Sequence, residues 1–282
     1  VNTTLIDDFM ALGYGMYHLV PGLNILVPIP GNRVFDPFQL NLFCCKPDRA
    51  KALEEKGLLS SGHALPDSSS EPDLSMKHLQ AMPCQRLFLE AYASVGQEMR
   101  LPGWDHYERA LSLHVHAHDG GRAASYRYAS LLGAREEIGQ ALKLAVTLPR
   151  LISHVRILSE LGERDESLKT ANAIFNLIQS ETRIRLDEPF LPASPRFDTI
   201  VPADTTKWIV SCILEYTEKA KAFSSYYTGN ASLNNLEIIR QLGYQSPEME
   251  RRRQLIRMRF RMQAEPHPDP AVTDVSTDNL NP

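Results

Sequence analysis

The chain has 282 residues, 43% of them hydrophobic, and a formal net charge of −4 at pH 7, with a pI near 6.2. That length and apolar content suit one or two buried cores, and the charge balance excludes a general attraction for nucleic acid or anionic membrane. Cys44, Cys45, Cys84 and Cys212 lack both the paired spacing of a structural zinc site and the density of a secreted scaffold, so reduced, mostly buried thiols are expected.

The opening VNTTLIDDF lacks the basic start and apolar core of a signal peptide, and no apolar run is long enough to span a membrane; both point to the cytoplasm. The absence of Met at Val1 suggests a fragment or a processed chain. A first helix over TLIDDFMAL, with Thr3 or Thr4 as cap and Asp7 and Asp8 near its positive end, stops at Gly13. Short strands follow, divided by Pro21-Gly22, Pro28 and Pro30-Gly31, because proline interrupts hydrogen-bond ladders. FQLNLFCC reads as a partly covered strand with Cys44 and Cys45 on opposite sides. Pro47 opens a second helix that Gly57 closes. Residues 1–59 therefore form a short α/β segment.

The small and polar residues of 60–73 cannot build an apolar face, so a linker and a domain boundary are expected there, with His63 exposed. Residues 74–180 carry helical periodicity: Leu87, Ala91 and Val95 on one face, then Trp104, Tyr107, Leu111 and Val115 on the next, ended by Asp119-Gly120-Gly121. Two helix pairs follow, each broken by a Leu-Gly turn, at Gly133 and at Gly162. Residues 181–206 form a Pro-rich connection that packs along a groove or joins two helical blocks. Residues 207–263 return to helix, with Trp208, Cys212 and Tyr216 sharing a face, and residues 264–282 read as a disordered tail. The fold class is mainly α, as tetratricopeptide-like helical repeats or an irregular helical bundle, with a short α/β remnant at the N-terminus.

The order helix, Leu-Gly turn, helix over about 121–180 resembles tetratricopeptide-type repeats, although the two turn glycines lie 29 residues apart where that family uses about 34. Leu158, Ser167, Ala171 and Ile174 in one unit, and Ala129, Ile138, Leu142 and Ala145 in the other, occupy its packing positions. Separately, DDFMALGYGMYHLVPGLNILVP, FQLNLFCCKPDRAKAL and EEKGLL, within about 5–59, resemble the C-terminal end of an FkbM-type, S-adenosylmethionine-dependent methyltransferase. The resemblance implies final strands of a doubly wound domain joined to helical repeats, with S-adenosylmethionine bound upstream. Residues 1–59 contain no glycine-rich strand-turn-helix unit, so no cofactor residue is assigned and no cofactor is expected on this chain.

Among candidate chemical groups, His114 and His118 on a helix stand one turn apart and could ligate one metal ion while His116 points away, whereas a strand would line all three on one side; the Leu111 to Val115 interval favours a helical end with partly exposed imidazoles in structural or surface roles. No glutamate lies between them, so the zinc-protease pattern is missing. Glu136 and Glu137 read as helix-start acids, and the serines of 60–70 sit at no nucleophile elbow. RRRQLIRMRFR interleaves arginines with apolar residues and reads as a solvated helical face, with Arg253 and Arg257 offered to an acidic partner. The leading functional reading is a noncatalytic scaffold recognising a protein or peptide in a groove lined by Tyr107, Tyr126, Arg127, Tyr128 and Asn172. A substrate-positioning part of a methyltransferase and a metal-dependent enzyme are the alternatives. Partner identity and oligomeric state are not legible in the residues.

Overall fold

A computed structural model describes residues 3–32, 34–39, 41–60, 62, 77–79, 81–88, 90, 92, 100–180, 185–221 and 230–260. The rest of the 60–73 linker, Ala91, Val95 and the 264–282 tail lie outside them. The fold is mainly helical with a small N-terminal sheet, and the chain divides into two compact units, Val1–Ala203 and Asp204–Pro282.

In the first unit, α1 (Thr3–Ala11) leads into β1 (Gly15–Val20) and β2 (Ile25–Pro28), and later β3 (Phe43–Cys45) and α2 (Pro47–Glu55). The sheet is antiparallel in the order β2-β1-β3, with Tyr17 opposite Pro28 and Gly15 opposite Cys45. Beyond α2 the chain returns to the outside of β2, where Leu26 N donates to Leu58 O and Ser60 N to Leu26 O, both at 2.9 Å. Asn24 takes the left-handed conformation that closes the β1–β2 turn, one that asparagine tolerates. Cys44 is exposed and Cys45 buried, as their alternation requires. Asp7 and Asp8 differ from expectation: the first turn of α1 holds no acid, and both sit further along the helix.

Further along the described residues come α3 (Trp104–Ala117), α4 (Ala124–Leu144), α5 (Leu148–Leu161) and α6 (Arg164–Ser180). Each packs on its successor. Val20, Leu23, Ile25 and Val27 of the hairpin share one core with Tyr107 and Leu111 of α3, Leu131 and Ile138 of α4, and Ile157 and Leu161 of α5. Each such aliphatic side chain contributes about 1.5–3 kcal/mol by leaving water. The expected boundary at 60–73 therefore does not separate two cores, because residues on both sides of it bury each other.

Two further local readings are corrected. The first Leu-Gly turn does not form, since α4 runs unbroken through Gly133. A glycine inside a helix costs about 1 kcal/mol, and the buried row Leu131, Ala134, Ile138 and Ala141 outweighs it. Gly162, in contrast, adopts φ 85° and ends α5, with Glu163 N donating back to Leu158 O at 3.0 Å. Leu87 does not take the buried position expected of it: Pro83 opens a 3-10 turn over Pro83–Gln85, and Leu87 remains 57% exposed.

The Pro-rich connection packs along a groove, the first of the two alternatives its sequence offered. Phe190, Leu191, Ala193 and Phe197 are buried. Gln85 Nε2 donates to Phe190 O at 2.7 Å, and Leu191 N donates to Ser153 Oγ at 2.9 Å. At the start of α5, Thr147 caps the backbone N–H of Arg150, and Pro149 occupies the first turn. The fully buried Arg150 is held by Glu188 and by the carbonyls of Pro102, Ala141 and Ala145.

The second unit contains α7 (Thr205–Lys221), α8 (Asn230–Gln241) and α9 (Pro247–Arg259). Trp208, Cys212 and Tyr216 share the buried side of α7 as their spacing predicts. Ser246 caps α9 by accepting from Met249 N at 3.2 Å.

Candidate functional site

α3 is helical to Ala117, which brings His114 and His118 together and sends His116 elsewhere, against the edge of Tyr126. The two imidazole centroids are 4.6 Å apart. Facing them from the last turn of α5 is Glu160, whose Oε2 lies 2.8 Å from His114 Nε2 and 2.9 Å from His118 Nε2. The other carboxylate oxygen accepts from Arg156, one turn earlier on α5. Arg156 in turn donates to Pro192 O at 3.0 Å and to both oxygens of Asp198, at 3.2 and 3.1 Å. Backbone from the first hairpin completes the enclosure, since Gly22 N donates to Glu160 O at 2.9 Å.

Burial sets the electrostatics. The His114 imidazole is pushed below its ordinary range by burial, against the pull of Glu160, so it is neutral near pH 7. Burial opposes the charge on Glu160 as well, but the contacts of His114, His118 and Arg156 outweigh it and hold this carboxyl well below the usual carboxylate range. Burial raises Asp198 despite its bonds to Arg156. His78 lies near enough to His118 and Asp198 to feel both, with burial lowering its pKa foremost. Nearby, burial pushes the Cys84 thiol up to about 12. With a side chain 33% exposed, His118 marks the open side of the cluster.

Of the anticipated groove residues, Tyr107 is fully buried; it donates to Pro189 O at 2.6 Å and lies 2.9 Å from Ser153 Oγ. It is a core residue, because the Pro-rich segment of the same chain covers it. Tyr126 stacks under Arg122, Arg127 donates to Ala117 O at 2.9 Å, and Asn172 is exposed on α6. Tyr128 borders a cleft instead. Glu136 and Glu137 lie mid-helix, and Glu137 pairs with His106 at 2.6 Å and Arg109 at 3.0 Å.

The arginine-rich face is corrected too. Arg253 is 2% exposed and donates to Glu250 and Glu237, each at 2.8 Å, while Arg257 reaches Glu237 at 3.2 Å. Arg252 pairs with Glu218 at 2.8 Å. Hydrogen bonding by Arg253 is the main force pulling the Glu250 carboxyl down to about 2. These guanidinium groups neutralise acids of their own unit, and among the described residues Arg251 and Arg259 are the exposed ones.

The cleft beside Tyr128 has a volume of 410 Å³ and lies between residues 34–39, the stretch of α4 that carries Tyr128, Leu132 and Arg135, and the turn from α5 into α6. Its apolar wall includes Phe35, Pro37, Tyr128, Leu132 and Leu161. Four carboxylates line it among the described residues, Asp36, Glu163, Asp165 and Glu166, against the single guanidinium of Arg135. Asp36 fastens the loop by accepting from Asp165 N at 2.9 Å, at the positive end of α6. Burial raises the Glu163 carboxyl, and Asp36 and Glu166 push it further up, although Arg135 pairs with it at 2.7 Å.

Glu160, Arg156 and Asp198 were missed from sequence because 42 residues separate Glu160 from His118 and no short spacing joins them. One signal was present: Arg156 and Glu160 stand one turn apart inside the apolar run RLISHVRILSELG, where a buried ion pair needs partners. Against known protein families, curated proteins and solved structures, the chain has no match. Among the described residues no helix is long and apolar enough to cross a membrane.

Proposed function

We propose that this chain is a noncatalytic recognition module, whose helices and N-terminal loop hold a cleft for a basic, apolar-flanked segment of a partner protein. The observation that carries this reading is the cleft's excess of acid over an apolar wall. A lysine or arginine stem would cover Leu132 and Leu161, and its charged head would meet Asp165 and Glu166. The mutual repulsion felt at Glu163 supports it, because an incoming cation would relieve that repulsion. Recognition belongs here rather than at the buried Tyr107 or Arg253; among the described residues Asp165 and Glu166 face only the exposed Lys169 of their own helix, at 2.9 and 3.7 Å, a pairing that an incoming cation can displace.

The test uses two panels of short fluorescent peptides, one with lysine or arginine flanked by leucine or phenylalanine, the other with glutamate in place of the basic residue. The basic panel is expected to bind, more weakly at high salt, and Glu166→Lys is expected to weaken it by roughly two- to fivefold. Equal binding of both panels, or no response to Glu166→Lys, would overturn the proposal.

A further inference from the structure

We infer that His114, His118 and Glu160 form a binding site for one divalent transition-metal ion of the zinc class, which clips the end of α3 to the end of α5. The candidate ligand atoms lie within 4.8 Å of one another, one from each side chain. Two imidazoles one turn apart on a helix supply a pair of nitrogens on a single side, and a carboxylate from a second helix supplies the third ligand. This His₂Glu set recurs in zinc sites that keep a coordination position open. Its nitrogen content selects zinc, cobalt(II), nickel(II) or iron(II) over calcium and magnesium, which prefer all-oxygen ligands.

One feature beyond the ligand set argues for a prepared site. Glu160 is oriented from outside by Arg156, and Arg156 is oriented by Asp198 and Pro192 O, a layered support of the kind that fixes metal-bound carboxylates. His118, the exposed member of the cluster, gives an ion its way in from solvent. The site is separate from the acidic cleft, whose lining includes none of these three residues.

Full-length chain stripped with a chelator and titrated with cobalt(II) is expected to take up one equivalent and to develop the visible absorption of a low-coordinate site. Zinc is expected to raise the melting temperature and calcium to leave it unchanged, because an ion that binds only the folded state stabilises it. His114→Ala and His118→Ala should abolish uptake, His106→Ala should retain it, and Asp198→Asn should weaken it by roughly 10- to 100-fold. His114 is buried, so folding of each variant is checked by far-ultraviolet circular dichroism; His118→Ala, altered at the open edge, keeps the test decisive if His114→Ala does not fold. Absence of uptake by the wild-type chain, or unchanged uptake in folded His118→Ala, would overturn the inference.

Discussion

Gly22 and Glu160 are pressed together backbone to side chain: a Cβ built on Gly22 would stand 2.6 Å from Glu160 Cγ and 2.9 Å from its Cα, and closer still to its Cβ. The Pro21-Gly22 turn thereby lies directly on the last turn of α5, and Gly22 N donates to Glu160 O. Gly22→Ala must push these elements apart, since the obstruction includes backbone. A loss of about 1–3 kcal/mol is expected, the usual cost of overpacking. Urea denaturation checks it through a lower midpoint at unchanged slope, and an unaltered midpoint would mean that the turn yields freely.

Arg150→Met should be more damaging than any surface arginine replacement. The wild-type side chain is fully buried, paired with Glu188 at 2.6 Å and bonded to three carbonyls. Methionine keeps the volume but leaves Glu188 as an uncompensated buried charge, a change that costs about 3–5 kcal/mol. Arg150→Met with Glu188→Gln should recover part of that loss. If the double variant is no more stable than Arg150→Met alone, the pair is not the source of the effect.

What the residues announced and what they concealed divides along distance in sequence. Pro21-Gly22, the helix after Pro47, the turn at Gly162 and the buried side of α7 are local events, governed by fixed proline φ, left-handed glycine and helical period, and all were legible. Gly133 carried the same Leu-Gly signature as Gly162 but lies beside Leu131, Ala134 and Ile138, whose burial overrides local preference. The closeness of His114 and His118 was readable from a four-residue interval. Their meeting with Glu160 was not, because only the packing of the end of α5 beside the end of α3 creates it. Burial of Arg253 was hidden for the same reason, with Glu237 located on a different helix.

Thiol reactivity should discriminate sharply among the four cysteines. Cys44 is exposed, while Cys45, Cys84 and Cys212 are buried, and burial holds the Cys84 thiol at about 12, far from the reactive thiolate. Brief maleimide labelling of the native chain, read by peptide mass spectrometry, should modify Cys44 first, and Cys44→Ser should remove the fast phase. Early modification of Cys84 would contradict its burial.

Stability should fall in two distinguishable steps as the solution is acidified. Burial lowers His154 to about 4, with Arg135 adding to the shift, and lowers His114 and His18 as well, from an ordinary value of 6.5. Between those limits the unfolded chain binds protons that the folded chain refuses. The stabilisation is therefore complete above about pH 6.5 and declines as pH drops toward 4. Glu160 has the opposite charge type: its carboxyl is depressed below 4.5, so its contribution is intact above that value and lost as pH descends through the folded pKa. Urea midpoints measured from pH 8 to pH 3 should thus decline gradually and then more steeply. His154→Phe, which removes one of the refused protons, should flatten the first decline and leave the second in place. An identical profile in that variant would show that His154 gains its proton as readily in the folded chain as in the unfolded one.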